Sequence, residues 1–538
     1  MKQARRTRAV TAYAAVALLS LLSDAAASSA SAAAGTAATG AASWTVYHGN
    51  AGGNGVAASV SSVDLSSRAW TSPALDGQLY GEPLVSGGHV IAATENDTVY
   101  ALSSATGAIQ WSTHLGTPVP AGSLPCGNIS PTLGITGTPM IDEARAEVFV
   151  VADELVNGNP AHQLVGLDIA TGRSELNQGV DPPGSTHAAL LQRTGLTLDA
   201  GRVVFGYGGN YGDCSRYHGW VVSVPEGGGT PAEFAVDAAP GESQGAIWMG
   251  GAAPVVDSGG NIWVTAGNGS VTSSGHPYDD SDSVLELSPS LTLLQYFAPS
   301  SWTADNAGDL DLSTAPALLA DGHVVAAGKS RIVYLLSGSR LAGVGGQEAA
   351  LGSACGDDID GGVAFVGTTV YLPCLSGPIA VTASSSPDRL RLLWSATAGG
   401  GPPVVAAGQV WTIGQDGVLY GLNPSTGAVR DRATIGVPAN HFPTVSVGAG
   451  LLLAPATDRV VAFSAPTAGA TAPTTTTTPA STTTSGGRAT ATSAPAARRN
   501  GASPWGIAAA VVGALAVVSG VGWLLLRRRR TLGRPGRQ

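Results

Sequence analysis

The chain has 538 residues, of which 44% are hydrophobic, 6% aromatic and 12% charged, and its 74 Gly and 33 Pro make up about one residue in five. This composition excludes a helical bundle or coiled coil, which would be rich in Glu, Lys and Leu. Gly and Pro at this frequency, with Val and Thr between them, are typical of short strands and turns, and the formal net charge of −10 weighs against a nucleic-acid partner.

The first 34 residues have the pattern of a secretory signal peptide. Four basic residues stand before an apolar stretch from Ala9 to Leu22, and small residues follow it. This stretch is shorter than the ~20 residues that a membrane-spanning helix requires, so a membrane anchor is the less favoured alternative. We therefore expect export of the chain, with residues 35–78 forming an N-terminal segment ahead of the main domain.

Three segments within residues 79–466 share one pattern. They are VYALSSATGAIQW, LVGLDIATGRSEL and LYGLNPSTGAVRD, which end at Trp111, Leu176 and Asp431. In each, an alternating strand runs into a Thr-Gly turn, where the Gly can adopt a positive φ and a preceding side-chain oxygen can close the turn. Another strand pair lies upstream of each segment, so each unit is a meander of about four strands.

Weaker copies of this unit begin near Ala188, Ala253, Ala315, Gly361 and Phe442, which gives eight starts about 48 residues apart. A β-sandwich would also bury alternating strands, but it does not predict this period. Four strands per unit at this spacing indicate a β-propeller. We predict an all-β, eight-bladed propeller with four-stranded antiparallel blades, and seven blades are the alternative.

The last unit has three evident strands, and the segment from Ser67 to Leu75 is a spare strand in the N-terminal segment. Joining them would close the ring and remove two exposed sheet edges. We therefore expect residues 67–75 to complete the last blade.

The four cysteines are Cys126, Cys214, Cys355 and Cys374. An even number in an exported chain predicts two disulfides. Cys355 with Cys374 would close a loop of about 20 residues, and Cys126 with Cys214 would connect neighbouring units. A metal–thiolate site is the alternative, but the sequence has no CxxC motif and no His pair at ligand spacing.

The C-terminal part predicts a membrane-anchored protein. Residues 467–503 are rich in Thr, Pro and Ala and predict a disordered stalk. Residues 504–526 carry no charge and are long enough to cross a bilayer, and the basic tail 527–538 follows at once. A basic cluster beside a span stays cytoplasmic, so we expect the propeller outside a cell membrane and the C-terminus inside.

The Thr-Gly turn segments resemble the tryptophan-docking repeats of pyrroloquinoline quinone (PQQ) propellers, the quinoprotein alcohol dehydrogenase-like superfamily. In that family a Trp at the end of the segment packs between blades. Trp111 matches this position, Trp394 ends a degenerate copy, and Leu176 and Asp431 occupy the equivalent places in the other two segments. The resemblance implies the same propeller fold for the region from about Trp44 onward.

A second stretch resembles the central part of the quinoprotein dehydrogenases. It comprises PVVDSGGNIWVTAGNGS, DNAGDLDLSTAPALL and GKSRIVYLLSG. The resemblance implies that Asn268 binds calcium, that Asp311 is the catalytic base and that Lys329 contacts the quinone, for which Trp248 is a stacking platform.

The residue types themselves allow two interpretations of this stretch. Asp309, Asp311 and Asn268 offer the hard oxygen ligands that calcium prefers. The alternative is that Asp311 and Asn268 cap turns while Lys329, the one Lys in residues 35–503, pairs with an acid.

Two further polar stretches are candidates for binding. The loop GDCSRYHGW, residues 212–220, is interpreted as a structured loop pinned by its cysteine, and the acidic run from Asp279 to Asp282 as a solvated turn. In residues 35–487, 14 basic residues stand against 36 acidic ones, a net charge of about −22, which again argues against nucleic acid.

Two functional hypotheses follow. The favoured one is a binding or scaffolding module, without a cofactor, that holds a protein, glycan or small ligand at one face of the ring. The alternative is a dehydrogenase that uses PQQ and calcium to oxidise an alcohol or sugar.

Overall fold

A computed structural model of the chain describes residues 42–468. The predicted signal peptide, membrane helix, basic tail and all but the first two residues of the stalk lie outside the described residues. Within residues 42–468, no helix is long and apolar enough to span a bilayer.

Short strands dominate the described region. Its helices are α1 Trp302–Gly308 and four 3-10 turns at Tyr47–Gly49, Ala121–Ser123, His187–Ala189 and Met249–Gly251. The strands of the first half are β1 Val56–Ala57, β2 Trp70–Thr71, β3 Leu84–Ser86, β4 His89–Ala93, β5 Thr98–Ser103, β6 Ile109–His114, β7 Val119–Pro120, β8 Thr132–Leu133, β9 Met140–Asp142, β10 Glu147–Val156, β11 Asn159–Asp168, β12 Ser174–Gly179, β13 Leu190–Leu191, β14 Thr197–Asp199, β15 Arg202–Gly209, β16 Trp220–Pro225, β17 Ala232–Ala235, β18 Val255–Val256, β19 Ile262–Ala266, β20 Ser283–Leu287 and β21 Leu293–Ala298.

The strands of the second half are β22 Ala317–Leu318, β23 His323–Ala327, β24 Val333–Ser337, β25 Gly343–Val344, β26 Ala349–Leu351, β27 Ala364–Val366, β28 Thr369–Leu372, β29 Ile379–Ser385, β30 Asp388–Ser395, β31 Val404–Ala406, β32 Gln409–Ile413, β33 Val418–Leu422, β34 Val429–Thr434, β35 Ser446–Gly448, β36 Leu451–Ala456 and β37 Arg459–Ser464. Apart from the hairpin β7–β8, these strands form eight sheets, each built on a four-stranded antiparallel meander. The eight-bladed propeller is therefore confirmed over the seven-bladed alternative. Blades 1 to 8 begin at β3, β9, β14, β18, β22, β27, β31 and β35.

The first strand of each blade lies at the axis of the ring and the fourth at its perimeter. All three residues of β3 are buried, whereas β6, the fourth strand of the same blade, alternates between exposed and half-buried positions. First strands of successive blades contact one another, as β35, β3, β9 and β14 do. The core is thus a set of apolar layers between neighbouring blades, each closed by the next blade.

The last blade takes its outer strand from the N-terminal segment. Strands β35, β36 and β37 come from the end of the domain, and β2 pairs antiparallel with β37, with Trp70 opposite Ala462. Blade 8 therefore contains both ends of the domain, and no sheet edge is left open between blade 8 and blade 1.

The centre of the ring is filled by the chain itself. The segment 44–57 makes backbone hydrogen bonds of 2.8 Å with the first strands of four blades, at Val85, Ile141, Val256 and Val405. These strands stand on different sides of the axis, so the segment must lie between them. Sequence patterns did not predict that residues 44–57 fill the centre, because these residues have no periodicity of their own.

Tryptophans hold neighbouring blades together. The indole N–H of Trp70 donates to Ser104 (2.8 Å), that of Trp111 to Ile169 (3.0 Å) and that of Trp394 to Pro424 (2.9 Å), in each case to a carbonyl of the next blade. Trp111 and Trp394 had been predicted to pack between blades. Trp70 adds a third such contact, across the ring closure.

Each of these indoles lies on the Gly of a Thr-Gly turn. Gly107, Gly172 and Gly427 have φ of 70–71°, and a Cβ on any of them would stand 2.5 Å from a ring atom of Trp70, Trp111 or Trp394 respectively. The turn therefore requires Gly for its backbone conformation and also for the close approach of the indole.

Both predicted disulfides are present. Cys126 pairs with Cys214 and Cys355 with Cys374, at Cα separations of 6.1 Å and 6.0 Å. The first connects the segment around β7–β8 to the 212–220 loop of blade 3, and the second links the loop before blade 6 to the turn after β28.

The indole–glycine contact predicts unequal effects at two glycines of blade 7. Gly408 has φ of 67° with nothing within 4 Å of an added Cβ, so Gly408→Ala carries only the backbone strain of about 1–2 kcal/mol. Gly427→Ala adds a clash with Trp394 and is expected to cost about 1–3 kcal/mol more. The measurement is the urea midpoint of both variants, and equal midpoints would contradict the importance of this contact.

Candidate functional site

The predicted site residues lie in loops at one end of the ring. In a four-stranded meander, the loop before the first strand and the loop between the second and third strands are on the same side. Trp248, Asp309 and Asp311 precede first strands of blades 4 and 5, whereas Asn268 and Lys329 follow second strands. These loops form what we call the acidic face.

Lys329 and Asp311 form the centre of the site. The Lys329 ammonium lies 2.7 Å from Oδ2 of Asp311 and 2.9 Å from Oδ1 of Asp309. The backbone N–H of Asn268 donates to the other Asp311 oxygen at 2.7 Å. Asp311 is buried and the Asp309 side chain is 69% exposed, so Asp311 is the partner that depends on the lysine.

Trp248 belongs to the same group. The Lys329 ammonium stands 5.4 Å from the centre of the Trp248 ring, within the range of a cation–π contact. Phe442, from the loop before blade 8, packs edge-on against Trp248 at 5.8 Å. The structure thus brings together all five residues predicted for the site, and their catalytic and cofactor roles remain predictions.

The contacts in this group fit a calcium ion poorly. Calcium takes six to eight oxygen ligands. Here the ammonium of Lys329 already contacts both carboxylates of the set, and Asn268 contributes its backbone N–H to Asp311. Among the described residues, neither Asp309 nor Asp311 belongs to a group of three metal-ligating side chains.

The surrounding charge also opposes an anionic quinone. PQQ carries three carboxylates, and a binding site for it needs a positive field. Burial raises the pKa of Asp360 to about 7, and burial together with neighbouring aspartates raises the pKa of Asp213 and Asp358. All three lie within electrostatic reach of Lys329, so one lysine faces five acids.

The disulfides fix the acidic loops in place. Asp213 is adjacent to Cys214, and Asp358 lies three residues after Cys355. Asp213 also accepts a hydrogen bond of 2.8 Å from the hydroxyl of Tyr217, which is buried. Each covalent link therefore holds a carboxylate on the acidic face.

A cavity of about 500 Å³ opens beside this group, between blades 3 and 4. Its walls are polar and include Asp213, Arg216, Gln244, Asn268, Ser270 and Asn306. The prediction of a structured, pinned loop at 212–220 agrees with this arrangement, since that loop forms one wall.

Asp237 lies behind the cavity wall. It is completely buried, and neither of its carboxylate oxygens accepts a hydrogen bond from the part of the chain that the structure describes. A Cβ on Gly269, which lines the cavity, would stand 2.6 Å from Asp237 Oδ2. Burial, assisted by the charges of Asp279 and Glu242, raises the pKa of Asp237 to about 9. No sequence pattern singles out Asp237, because it stands alone among small apolar residues.

The acidic run 279–282 is not the solvated turn that the sequence predicted. Asp279 and Asp282 are buried, and Asp279 accepts hydrogen bonds from both the backbone and the hydroxyl of Ser281. The physical reason is tertiary: the loop folds under helix α1, where Asn306 also contacts Ser281. Burial therefore raises the pKa of both Asp279 and Asp282 and favours their neutral forms.

Comparisons with known proteins agree with the fold. A family model described as "Outer membrane protein assembly factor BamB" matches residues 28–274. No curated protein matches the chain.

Solved structures of similar fold include two dehydrogenases and BamB. The quinohemoprotein alcohol dehydrogenase of Comamonas testosteroni is 14% identical, with a TM-score of 0.59 over 79% of this chain and 80% of its own. A europium-containing methanol dehydrogenase is 13% identical, with a TM-score of 0.55 over 79% and 98%. BamB from Moraxella catarrhalis is 15% identical, with a TM-score of 0.50 over 74% and 99%. At these identities the likeness concerns the fold alone.

The ion pair predicts which substitution destabilises the face. Lys329→Gln leaves buried Asp311 without its cation and is expected to cost about 3 kcal/mol of unfolding free energy. Asp309→Asn removes only an exposed partner and should cost less than about 1 kcal/mol. Urea denaturation of these two variants, of Asp311→Asn and of the double variant Lys329→Gln/Asp311→Asn measures this. A double variant no more stable than the sum of its single changes would contradict the coupling.

Proposed function

Since the chain is a PQQ-like β-propeller, we propose that it is a binding module whose acidic face holds a positively charged segment of a partner protein. The observation that carries this proposal is the charge of the site. Its one lysine forms salt bridges with Asp309 and Asp311, whereas Asp213, Asp358 and Asp360 form none among the described residues. A cationic ligand would supply the missing charge.

A cation in the cavity would also act on the buried carboxyl group of Asp237. A buried carboxylate with neither oxygen hydrogen-bonded is costly, and it is neutral or paired in a stable protein. Its position behind the cavity wall means that a cation in the cavity would stabilise its ionised form. A cation bound in the cavity is therefore expected to lower the pKa of Asp237 from about 9.

A protein segment suits the site better than a small molecule. The cavity is open to solvent, and a binding site for a small molecule usually encloses most of its ligand. Loops at a propeller face are suited to recognising an extended surface. The matching family model describes an assembly factor, which is a function based on protein contacts.

The contacts of Asp311 do not favour dehydrogenase chemistry. A general base needs a free oxygen within reach of the substrate proton, and both oxygens of Asp311 are already engaged. The convergence of Asp311, Lys329 and Trp248 is then explained as an ion pair covered by an indole.

We also propose that the module is displayed outside a cell membrane. The support is in the sequence: a signal peptide before the propeller, and a Thr/Pro-rich stalk, an apolar span and a basic tail after it. Two disulfides accord with an oxidising compartment.

The experiment measures binding of a fluorescein-labelled decalysine peptide to the full-length protein by anisotropy, with decaglutamate as the opposite charge. Asp213→Asn/Asp358→Asn is expected to weaken decalysine binding at least tenfold. Glu175→Gln/Glu233→Gln removes the same charge from the outer strands β12 and β17, and it should change binding less than twofold.

Equal weakening in the two double variants would mean unspecific attraction to an acidic protein and would overturn the proposal. So would turnover of an alcohol or sugar with added PQQ and Ca²⁺ that is lost in Asp311→Asn, because that result would establish the dehydrogenase. Spermidine competing as well as decalysine at equal charge would point to a small organic cation and would overturn the protein-segment assignment.

The proposed charge also predicts a pH dependence. Because burial raises the pKa of Asp360 to about 7, this carboxyl is ionised at pH 8 and largely protonated at pH 6. Decalysine binding should therefore weaken by about fivefold from pH 8 to pH 6, since one attraction of about 1 kcal/mol is lost. Asp360→Asn should flatten this part of the profile, and an unchanged profile in that variant would contradict the assignment.

A further inference from the structure

Three side chains with metal-ligating atoms converge at the end of the ring opposite the acidic face. They are His323 at the start of β23, Glu348 just before β26 and Asp388 at the start of β30. The first two belong to blade 5 and the third to blade 6. Their donor atoms all lie within 4.8 Å of one another.

The distances from the His323 ring nitrogen to the two carboxylate oxygens match those between ligands of a tetrahedrally coordinated metal ion. Nε2 of His323 lies 3.3 Å from Oε2 of Glu348 and 3.3 Å from Oδ1 of Asp388. Zinc binds imidazole nitrogen and carboxylate oxygen at about 2.0–2.1 Å, and two donors at this radius and a tetrahedral angle are about 3.3 Å apart. The distance from the ring nitrogen to each of the two oxygens is therefore already that of an edge of a coordination tetrahedron.

The imidazole is oriented by a fourth residue. Nδ1 of His323 lies 3.1 Å from Oδ2 of Asp321, in the turn before β23. The other ring nitrogen, Nε2, is turned toward Glu348 and Asp388 and hydrogen-bonds to Asp388. A carboxylate beside one ring nitrogen, with the other nitrogen directed at the metal position, is the usual arrangement around ligating histidines. The His323 side chain is 9% exposed, so this orientation is also held by packing.

We infer that His323, Glu348 and Asp388 form a binding site for a divalent transition metal ion, of which Zn²⁺ is the representative, that bridges blades 5 and 6. The nitrogen donor selects zinc over calcium and magnesium, which prefer oxygen. Glu348 and Asp388 are about one third and two fifths exposed, so the fourth coordination position faces solvent. The competing explanation is an imidazolium ion held by the same carboxylates without a metal.

Zinc titration of the chelator-treated full-length protein by isothermal calorimetry tests this inference. The expected result is one Zn²⁺ per chain, with no comparable binding of Ca²⁺ or Mg²⁺. His323→Gln and Asp388→Asn should each weaken zinc binding at least tenfold, and Asp321→Asn, which removes the orienting carboxylate, about tenfold or more. Zinc should also raise the unfolding temperature of the unmodified protein, because the ion binds the folded state.

The control variant comes from the same place in another blade. His89 opens β4, the second strand of blade 1, as His323 opens the second strand of blade 5, but its ring contacts the amide of Gln110. His89→Gln should leave zinc binding unchanged. Co²⁺ adds a readout that depends on the ligands, since visible absorption bands should appear in the unmodified protein and in His89→Gln but not in His323→Gln.

Equal zinc affinity in the unmodified protein and in His323→Gln would overturn the inference. Loss of folding in His323→Gln alone would leave Asp388→Asn, at a more exposed position, to decide between a metal site and an imidazolium network. Unchanged zinc binding in a folded Asp388→Asn protein would likewise overturn it.

Discussion

The packing of an indole on a glycine in the next blade is the contact on which the ring depends. Blades of four short strands have no core of their own, so each must bury its faces against its neighbours. Trp70, Trp111 and Trp394 bridge three of these interfaces, each with its ring on a Gly and its N–H bound to a carbonyl of the neighbouring turn. The Trp70 contact closes the ring, because it joins the strand from the N-terminal segment to blade 1.

The ring in turn determines where ligands can bind. Residues 44–57 occupy the axis and bond to the first strands of several blades, so the centre is packed and the loops at the two ends remain as surfaces. At one end, the loops from blades 3 to 6 bring together Asp213, Asp311 and Asp360 around a single lysine. The two disulfides hold two of these loops, and burial raises the pKa of Asp213 and Asp360.

The two ends of the ring have different chemistry. The acidic face combines aspartates with a polar cavity, which favours a cationic partner. The opposite end places one imidazole between two carboxylates at the junction of blades 5 and 6, which favours a metal ion. The first arrangement would act in recognition and the second in holding two blades together, so a failure of one assignment leaves the other intact.

The sequence by itself determined the repeat and the inter-blade positions of Trp111 and Trp394, because strand alternation and the Thr-Gly turn are local and periodic. It predicted eight blades with seven as the alternative, and the sheet topology decided for eight. It also predicted the residues around Lys329, since their resemblance to a known motif lies in continuous segments. Only the tertiary structure decided that Asp311 is paired with Lys329, that Asp279 and Asp282 are buried and that segment 44–57 fills the axis. The surroundings of Asp237, His323 and Asp388 are likewise formed by residues that are distant in the chain. The physical reason is that burial and charge pairing depend on which blades meet, and that information is absent from a single repeat.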